Sequence, residues 1–301
     1  MQSPAPSQPR FAFFGTPYVA RDTLAALVTA GYVPSVVITS PDALRGRGLE
    51  LTPCETKVWA LEHNLPVLTP AKLDETFLAE LARFELTYAV VVAYGKIIPQ
   101  AVLDAFPNGI LNVHYSLLPA YRSASPVEAA LRNGETVTGV TVQEMAFQLD
   151  AGDILSQEQV AIAPDDTTLT LRPRLIEAGS ALLIQTLPSF IEGTVQRVPQ
   201  DEARATCAPK IRKEEGCLNL VSGDPLTNWH TYRALRESPG TYFFAEKDGV
   251  RIRIKITDAS YENGTFTLRK IVPEGKREVD ASWLAQAGWT PCAKRIASEV
   301  V

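Results

Sequence analysis

Between residues 11 and 160, short apolar runs alternate with stretches whose apolar side chains recur at helical spacing. The run 11–14 is followed by Gly15-Thr16-Pro17, a turn into a stretch that carries Val19, Leu24 and Leu27 on one face. The same alternation predicts strands at 33–39, 66–68, 87–93, 139–145 and 154–160, and one that carries Asn112 and His114 near its end. Helices are predicted near 57–63, 74–84 and 126–133, with one or two more over 167–192 that close the sheet. The run 87–93 is Val-rich without a polar alternation, which marks a central parallel strand buried on both faces. Seven strands alternating mainly with helices predict an α/β fold, Rossmann-like and doubly wound, with a mainly parallel sheet.

The pattern changes after a polar connection. Residues 224–235 read as a helix, but 240–245, 250–256 and 265–268 are short strands separated by Lys247-Asp248-Gly249 and Glu262-Asn263-Gly264 turns. That spacing predicts a small β-barrel of OB-like type. The expected division is a disordered tail at 1–10, an α/β domain at 11–193, a linker at 194–209 and the β-barrel at 210–301.

Composition narrows the class. A 46% hydrophobic content over 301 residues supports ordinary cores. No apolar run approaches the roughly 18 residues of a membrane span. Residues 1–10 are too polar for a signal peptide. Cys54, Cys207, Cys217 and Cys292 lack a Cys-x-x-Cys spacing, so they read as reduced cysteines of a cytoplasmic protein. The net charge of -5 is unevenly spread. Acidic residues outnumber basic ones up to residue 195, and basic residues outnumber acidic ones beyond it, where a phosphate-rich partner would be drawn.

Candidate chemistry concentrates at 109–123. Asn112 and His114 sit two apart near the end of an apolar strand, so an amide and an imidazole project from one face where the strand gives way to a loop. In open α/β sheets, ligands bind beyond the carboxyl ends of strands. Each residue alone also fits a structural role, as a turn-closing Asn or a core His bonded to a carbonyl. Asp150 follows the strand 139–145 in an acidic loop. It can orient and charge-stabilise His114 or shuttle a proton, and Asp153 reads as the carboxylate that caps backbone amides in the loop. Three histidines without a His-Glu-x-x-His spacing argue against a zinc hydrolase. Gly-x-Gly-x-x-Gly, Walker and Gly-x-Ser-x-Gly motifs are missing, which disfavours nicotinamide, P-loop and acyl-serine chemistry. Arg45 and Arg47, interleaved with Gly46 and Gly48, form a cationic loop that fits a nucleic-acid backbone or simply solvent. Arg251, Arg253 and Lys255 alternate with Val250, Ile252, Ile254 and Ile256, giving a strand with one basic and one apolar face.

The run Asn-x-His-x-Ser-Leu-Leu-Pro at 112–119, followed by Leu-Asp-x-Gly-Asp at 149–153, resembles the signature of the formyltransferases that use 10-formyltetrahydrofolate. Phe13-Phe14-Gly15-Thr16-Pro17, Val90-Val91-Val92-Ala93-Tyr94-Gly95 and Lys210-Ile211-x-Lys213-Glu214-Glu215-Gly216 are similar to further segments of that family. The resemblance implies catalysis by Asn112, His114 and Asp150. It implies folate contact at Ser116, Leu117, Leu118 and Pro119, with Tyr94 and Gly95 walling a flat ring. For the tRNA-directed branch it implies methionyl-initiator tRNA as acceptor, contacted by Arg45, Arg47, Arg251, Arg253 and Lys255. The enzyme is expected to act in the cytoplasm as a monomer, without a metal. Two departures stand out: Ala43, Leu49 and Glu50 occupy places where that branch is commonly basic, and Glu237-Ser238-Pro239-Gly240 stands where it commonly has Pro-Trp-Pro-Gly. A sugar-nucleotide N-formyltransferase and a non-catalytic tRNA-binding protein on the same scaffold are the alternative expectations.

Overall fold

The computed structural model describes residues 9–45 and 49–293. The elements follow in chain order: β1 (Phe11–Gly15), α1 (Tyr18–Thr29), β2 (Val36–Ile38), β3 (Ala43–Arg45), β4 (Glu50–Thr52), α2 (Glu55–Glu62), β5 (Val67–Leu68), α3 (Glu75–Ala82), β6 (Tyr88–Val92), α4 (Gln100–Leu103), β7 (Ile110–His114), α5 (Pro126–Arg132), β8 (Val137–Glu144), β9 (Ile154–Ala161) and α6 (Thr168–Ile191). The remainder is α7 (Pro225–Ala234), β10 (Thr241–Lys247), β11 (Val250–Glu262), β12 (Thr265–Pro273), β13 (Val279–Asp280), α8 (Trp283–Gln286) and β14 (Thr290–Cys292).

Seven strands form one sheet in the order β5-β2-β1-β6-β7-β8-β9. From β5 to β7 every pairing is parallel, as the alternation with helices requires, while β8 runs antiparallel to β7. The two sheet faces are buried by different partners. Ala12, Phe14, Val36, Ile38, Ala89, Val91 and Ile110 pack in one cluster with Phe77 and Leu81 of α3 and Val102 of α4. On the opposite face Phe11 stacks on Tyr88, which meets Phe190 of α6 edge-on, and Thr23 of α1 accepts a hydrogen bond from Ser180 of α6. Residues such as Leu111 are fully buried, so truncation there to Ala costs about 2–5 kcal/mol. Three residues, 36–38, pair where a seven-residue strand was expected, and the segment 167–192 is one helix despite Pro173 and Pro188.

The chain groups into two compact units, and neither is one continuous segment. The first comprises 1–122, 139–160 and 174–207; the second comprises 123–138, 161–173 and 208–301. The second unit thus takes in α5 and 161–173, the segment before α6 with the first residues of that helix, which the linear division at 194–209 places in the α/β part. α5 packs on α7, and ion pairs run within this grouping. Arg132 of α5 binds Glu215 at 2.8 Å, and Arg172 binds both Glu128 of α5 and Glu237. Arg233 of α7, 3% exposed, donates to the carbonyls of Ala163, Pro164 and Asp166.

Within the second unit, the β-rich part expected as a barrel is a five-stranded antiparallel sheet in the order β13-β12-β11-β10-β14. Register shifts between Ile256 and Ala259 mark a bulge that bends the long strand β11. Phe243, Ile254, Ile256 and Ile271 pack with Tyr232 of α7 under this sheet. Asp224 caps α7 by accepting the Thr227 amide at 2.8 Å, with Pro225 at the first helical position.

Candidate active site

β7 ends at the site. Ile110, Asn112 and His114 share the face that carries the α3/α4 cluster, while Val113 points the other way, toward α6 at Gly179. Register places Gln143 of β8 opposite Asn112, and Thr141 opposite His114. The antiparallel β8 also dictates the course of the loop that follows it, which returns over the sheet to begin β9. Met145 N donates to Ile110 O at 2.7 Å, and Glu144 N donates to Asp153 O at 2.9 Å. What Asp153 supplies to the loop here is that carbonyl. A Cβ at Gly152 would overlap the Glu144 carbonyl oxygen, so the tight return requires glycine.

The loop delivers Asp150, at a left-handed φ of 51°, to the two strand residues. Its Oδ1 accepts from Asn112 Nδ2 at 3.4 Å and from Gln143 Nε2 at 3.0 Å. Its Oδ2 lies 3.7 Å from His114 Nδ1, within ion-pair range but beyond a hydrogen bond. His114, 6% exposed, has Nε2 at 2.9 Å from the Tyr121 carbonyl. A carbonyl only accepts, so Nε2 carries the hydrogen, and in the neutral ring the lone pair of Nδ1 faces Asp150. The three residues expected at the centre are therefore brought together, with one proton position between the imidazole and the carboxylate.

Gln143 was not singled out from the sequence. It is 1% exposed, and its Oε1 is buried without a hydrogen-bond partner. Gln200 and Arg122 were also missed. Gln200 Nε2 donates to the carbonyls of Asp150 and Gly152, and Arg122 donates to Gln200 Oε1 and to Glu202. The hydrogen bond to Glu202 raises the affinity of Arg122 for its proton, and the charge of Asp150 adds to the effect. A Gln near the end of a strand and another in a polar connection carry no sequence signal that separates them from ordinary surface amides.

The turn after His114 is built from internal bonds. Thr141 Oγ1 donates to Ser116 O at 2.7 Å and accepts Leu118 N at 3.1 Å, Gln157 Nε2 donates to Leu118 O, and Ser116 Oγ donates to Ala120 O. The Leu118–Pro119 peptide is cis. Ser116 is fully buried and Leu118 is 3% exposed, and Ser116 O and Oγ and Leu118 N and O are engaged within the protein. Leu117 and Pro119 instead line a cavity of about 340 Å³ with Ala120, Gln157, Gln159 and Arg204. Tyr94 is also buried, its ring edge-on to Phe14 at 5.4 Å; burial pushes its hydroxyl up to about 12. Its ring is core, and the neighbouring Gly95, at φ 80°, is exposed backbone.

The expected basic surfaces fall in two places. In backbone register Arg45 stands opposite Glu50 at the end of the β3–β4 hairpin, where the exposed Leu44 and Leu51 are cross-strand partners; Arg47 lies outside the described residues. On β11, Arg251 lies over the Phe244 ring at 4.2 Å and Arg253 over Tyr242 at 3.8 Å, with Lys255 exposed on the same face. Aromatic rings of β10 thus underlie the basic row. Among the described residues, no group of three or more His, Cys, Asp and Glu is arranged to hold a metal. No helix among them is long and apolar enough to cross a membrane.

Residues 9–187 match the family model described as formyl transferase. The chain is 42% identical over 255 residues to a methionyl-tRNA formyltransferase of Moorella thermoacetica, covering 83% of this chain and 81% of that one. It is 38% identical over 297 residues to a methionyl-tRNA formyltransferase of Halalkalibacterium halodurans, covering 90% and 92%. In fold it is similar to an N-formyltransferase of Helicobacter canadensis in complex with folinic acid and dTDP-3-aminofucose. That match has a TM-score of 0.64 at 16% identity and covers 85% of this chain and 88% of the other.

Proposed function

The chain belongs to the formyl transferase family, and we propose that this enzyme moves the formyl group of 10-formyltetrahydrofolate to the α-amino group of methionyl-initiator tRNA in translation initiation. The observation that carries the reading is the convergence of Asn112, His114 and Asp150 at the end of β7, in a chain about 40% identical over most of its length to methionyl-tRNA formyltransferases. The cytoplasm, where translation begins, is the compartment this reading implies.

The reaction needs little beyond positioning. The amine attacks the formyl carbon, a tetrahedral oxyanion forms, the bond to the folate nitrogen breaks, and one proton passes from the amine to that nitrogen. Asn112 has one amide hydrogen toward Asp150 and a second for the oxyanion. With Nε2 of His114 committed to Tyr121 O, the proton released by the amine is taken on Nδ1, where the Asp150 carboxylate stabilises the imidazolium. The same Nδ1–H then donates to the oxyanion or to the leaving nitrogen. Asp150 thus serves as the charge partner of His114.

Folate chemistry fits the surroundings of this centre. Ile97, Phe147 and Leu149 are 84%, 69% and 60% exposed on the loops after β6 and β8. These loops adjoin, since Tyr94, Ile98 and Met145 share one cluster. Large exposed apolar side chains beside buried polar groups suit a flat, amphipathic ligand. For the tRNA, the β11 row offers phosphates three cations, two of them backed by aromatic rings, and the resemblance assigns Arg45 and Arg47 to the acceptor end. Purified protein supplied with 10-formyltetrahydrofolate and either charged initiator tRNA or an amino-sugar nucleotide tests the reading. Formylation of the tRNA is expected, and transfer only to the sugar overturns it.

A further inference from the structure

The polar stretch 194–207 is bonded to the candidate centre at two places, the loop that carries Asp150 and the turn that carries Tyr121. Gln200 Nε2 donates to Asp150 O at 2.8 Å and to Gly152 O at 2.7 Å, while its Oε1 accepts from Arg122 Nε at 3.1 Å and Nη2 at 2.9 Å. The amide is fully used and cannot be turned over, because donors face carbonyls on one side and a guanidinium on the other. Arg122, 7% exposed, is itself fixed by Glu202 from the same stretch. Six residues on, Thr206 accepts the Tyr121 amide at 2.8 Å, and Tyr121 is the residue whose carbonyl orients His114.

We propose that Gln200 is a positioning residue for formyl transfer, fastening the left-handed backbone at Asp150 so that its carboxylate faces His114 Nδ1. The inference rests on the formyl-transfer reading and adds a residue from outside the signature motifs. A non-glycine residue at positive φ keeps that conformation only when its surroundings over-determine it. Here the bonds from Gln200 fall on the carbonyl of the strained residue and on the one two positions later. Released from them, the backbone at Asp150 relaxes and the carboxylate moves away from the imidazole. A displacement of about 1 Å in a catalytic group costs roughly 10²-fold in rate.

Gln200→Glu separates this role from general stability. The carboxylate retains and strengthens the pairing with Arg122, which preserves the fold, but it presents an acceptor to two carbonyl oxygens. The expected result is a kcat reduced about 10- to 100-fold with KM for the folate within a few-fold, and a melting temperature near that of the wild type. Because Gln200 acts through Asp150, the same change in an Asp150→Ala background should lower the residual rate by less than about threefold. Amide exchange provides a readout without substrate: the Ala151 amide, bonded to Gln148 O, should exchange at least about tenfold faster in Gln200→Glu. Normal turnover, an undiminished loss in the Asp150→Ala background, or unchanged exchange at Ala151 would each overturn the proposal. If the wild-type protein transfers no formyl group, the functional reading fails, and the exchange measurement still decides whether the fastening exists.

Discussion

Replacing Gln143 by Leu should leave the protein about as stable as before and make it a poorer catalyst. The side chain is buried, so both sides of the balance can be stated. Its Nε2 bond to Asp150 Oδ1 at 3.0 Å is a hydrogen bond to a carboxylate, worth about 1.5–3 kcal/mol when lost. Its Oε1 is a buried acceptor without a partner, a burden of about 1–3 kcal/mol that Leu removes. Leu is of similar size, which avoids the cavity that Ala would leave, so the two effects nearly cancel in stability. They do not cancel in catalysis. Asp150 Oδ1 then draws harder on Asn112, now 3.4 Å away, and the amide meant for the oxyanion is pulled toward the carboxylate instead. If the lost bond is expressed in the barrier, turnover falls by about 10- to 100-fold. Denaturant unfolding alongside single-turnover formyl transfer measures both quantities. A variant that loses several kcal/mol of stability while turning over normally would show that Gln143 serves the fold rather than Asp150, and would refute the reasoning.

His114→Ala should abolish transfer while folate binding stays within a few-fold, and Asn112→Ala should slow turnover by roughly two to three orders of magnitude; equilibrium binding and rapid-quench rates distinguish these from a collapsed folate site. Replacing Arg251, Arg253 and Lys255 by Ala should weaken tRNA binding and flatten its salt dependence by about 0.9 in slope for each phosphate no longer neutralised, read from binding titrations at several salt concentrations. Transfer should survive exhaustive chelation, and inactivation that zinc reverses would contradict the metal-free chemistry proposed. Burial holds His230 below its usual range, with Arg233 contributing and Asp224 opposing. The unfolded chain therefore binds a proton there more readily, and the resulting stability is complete above the usual histidine value and is lost as pH falls below it. Unfolding midpoints of His230→Asn should accordingly be flatter than wild type between about pH 7 and 5.

The α/β sheet was legible because its signals are local: β1, β2, β5, β6 and β7 each fall within an apolar run, with helices between them, whereas the short β3–β4 hairpin, Ala-Leu-Arg paired with Glu-Leu-Thr outside that sheet, carries no such run and was not expected. The central site was legible because Asn112 and His114 stand on one strand face, where spacing of two has a single geometric meaning. Tyr94 illustrates what spacing does not encode. Its place at a strand end resembles a ligand wall, but the ring turns inward because Phe14 and the α3/α4 cluster offer it apolar contact. The Ser116–Pro119 turn is similar, since the bonds that bury it come from Thr141 and Gln157, over 20 residues away and from a different strand pair. Gln200 lies further still from its partners at 150 and 152, in a stretch whose polarity reads as solvent-facing.

The interleaved make-up of the two units bears on how the chain can be cut and made. A fragment starting at residue 208 would carry α7 and the five-stranded sheet but would leave behind α5, the Glu128 and Arg132 carboxylate–guanidinium partners, and the carbonyls that hold Arg233. An amino-terminal fragment ending there would keep α5 without α7, the helix it packs on. During synthesis, α5 leaves the ribosome about a hundred residues before α7, so its apolar face waits for a partner not yet made. Excised halves of this chain are thus expected to be stickier and less soluble than the intact protein, and a bicistronic pair of fragments should recover solubility only when both are produced together.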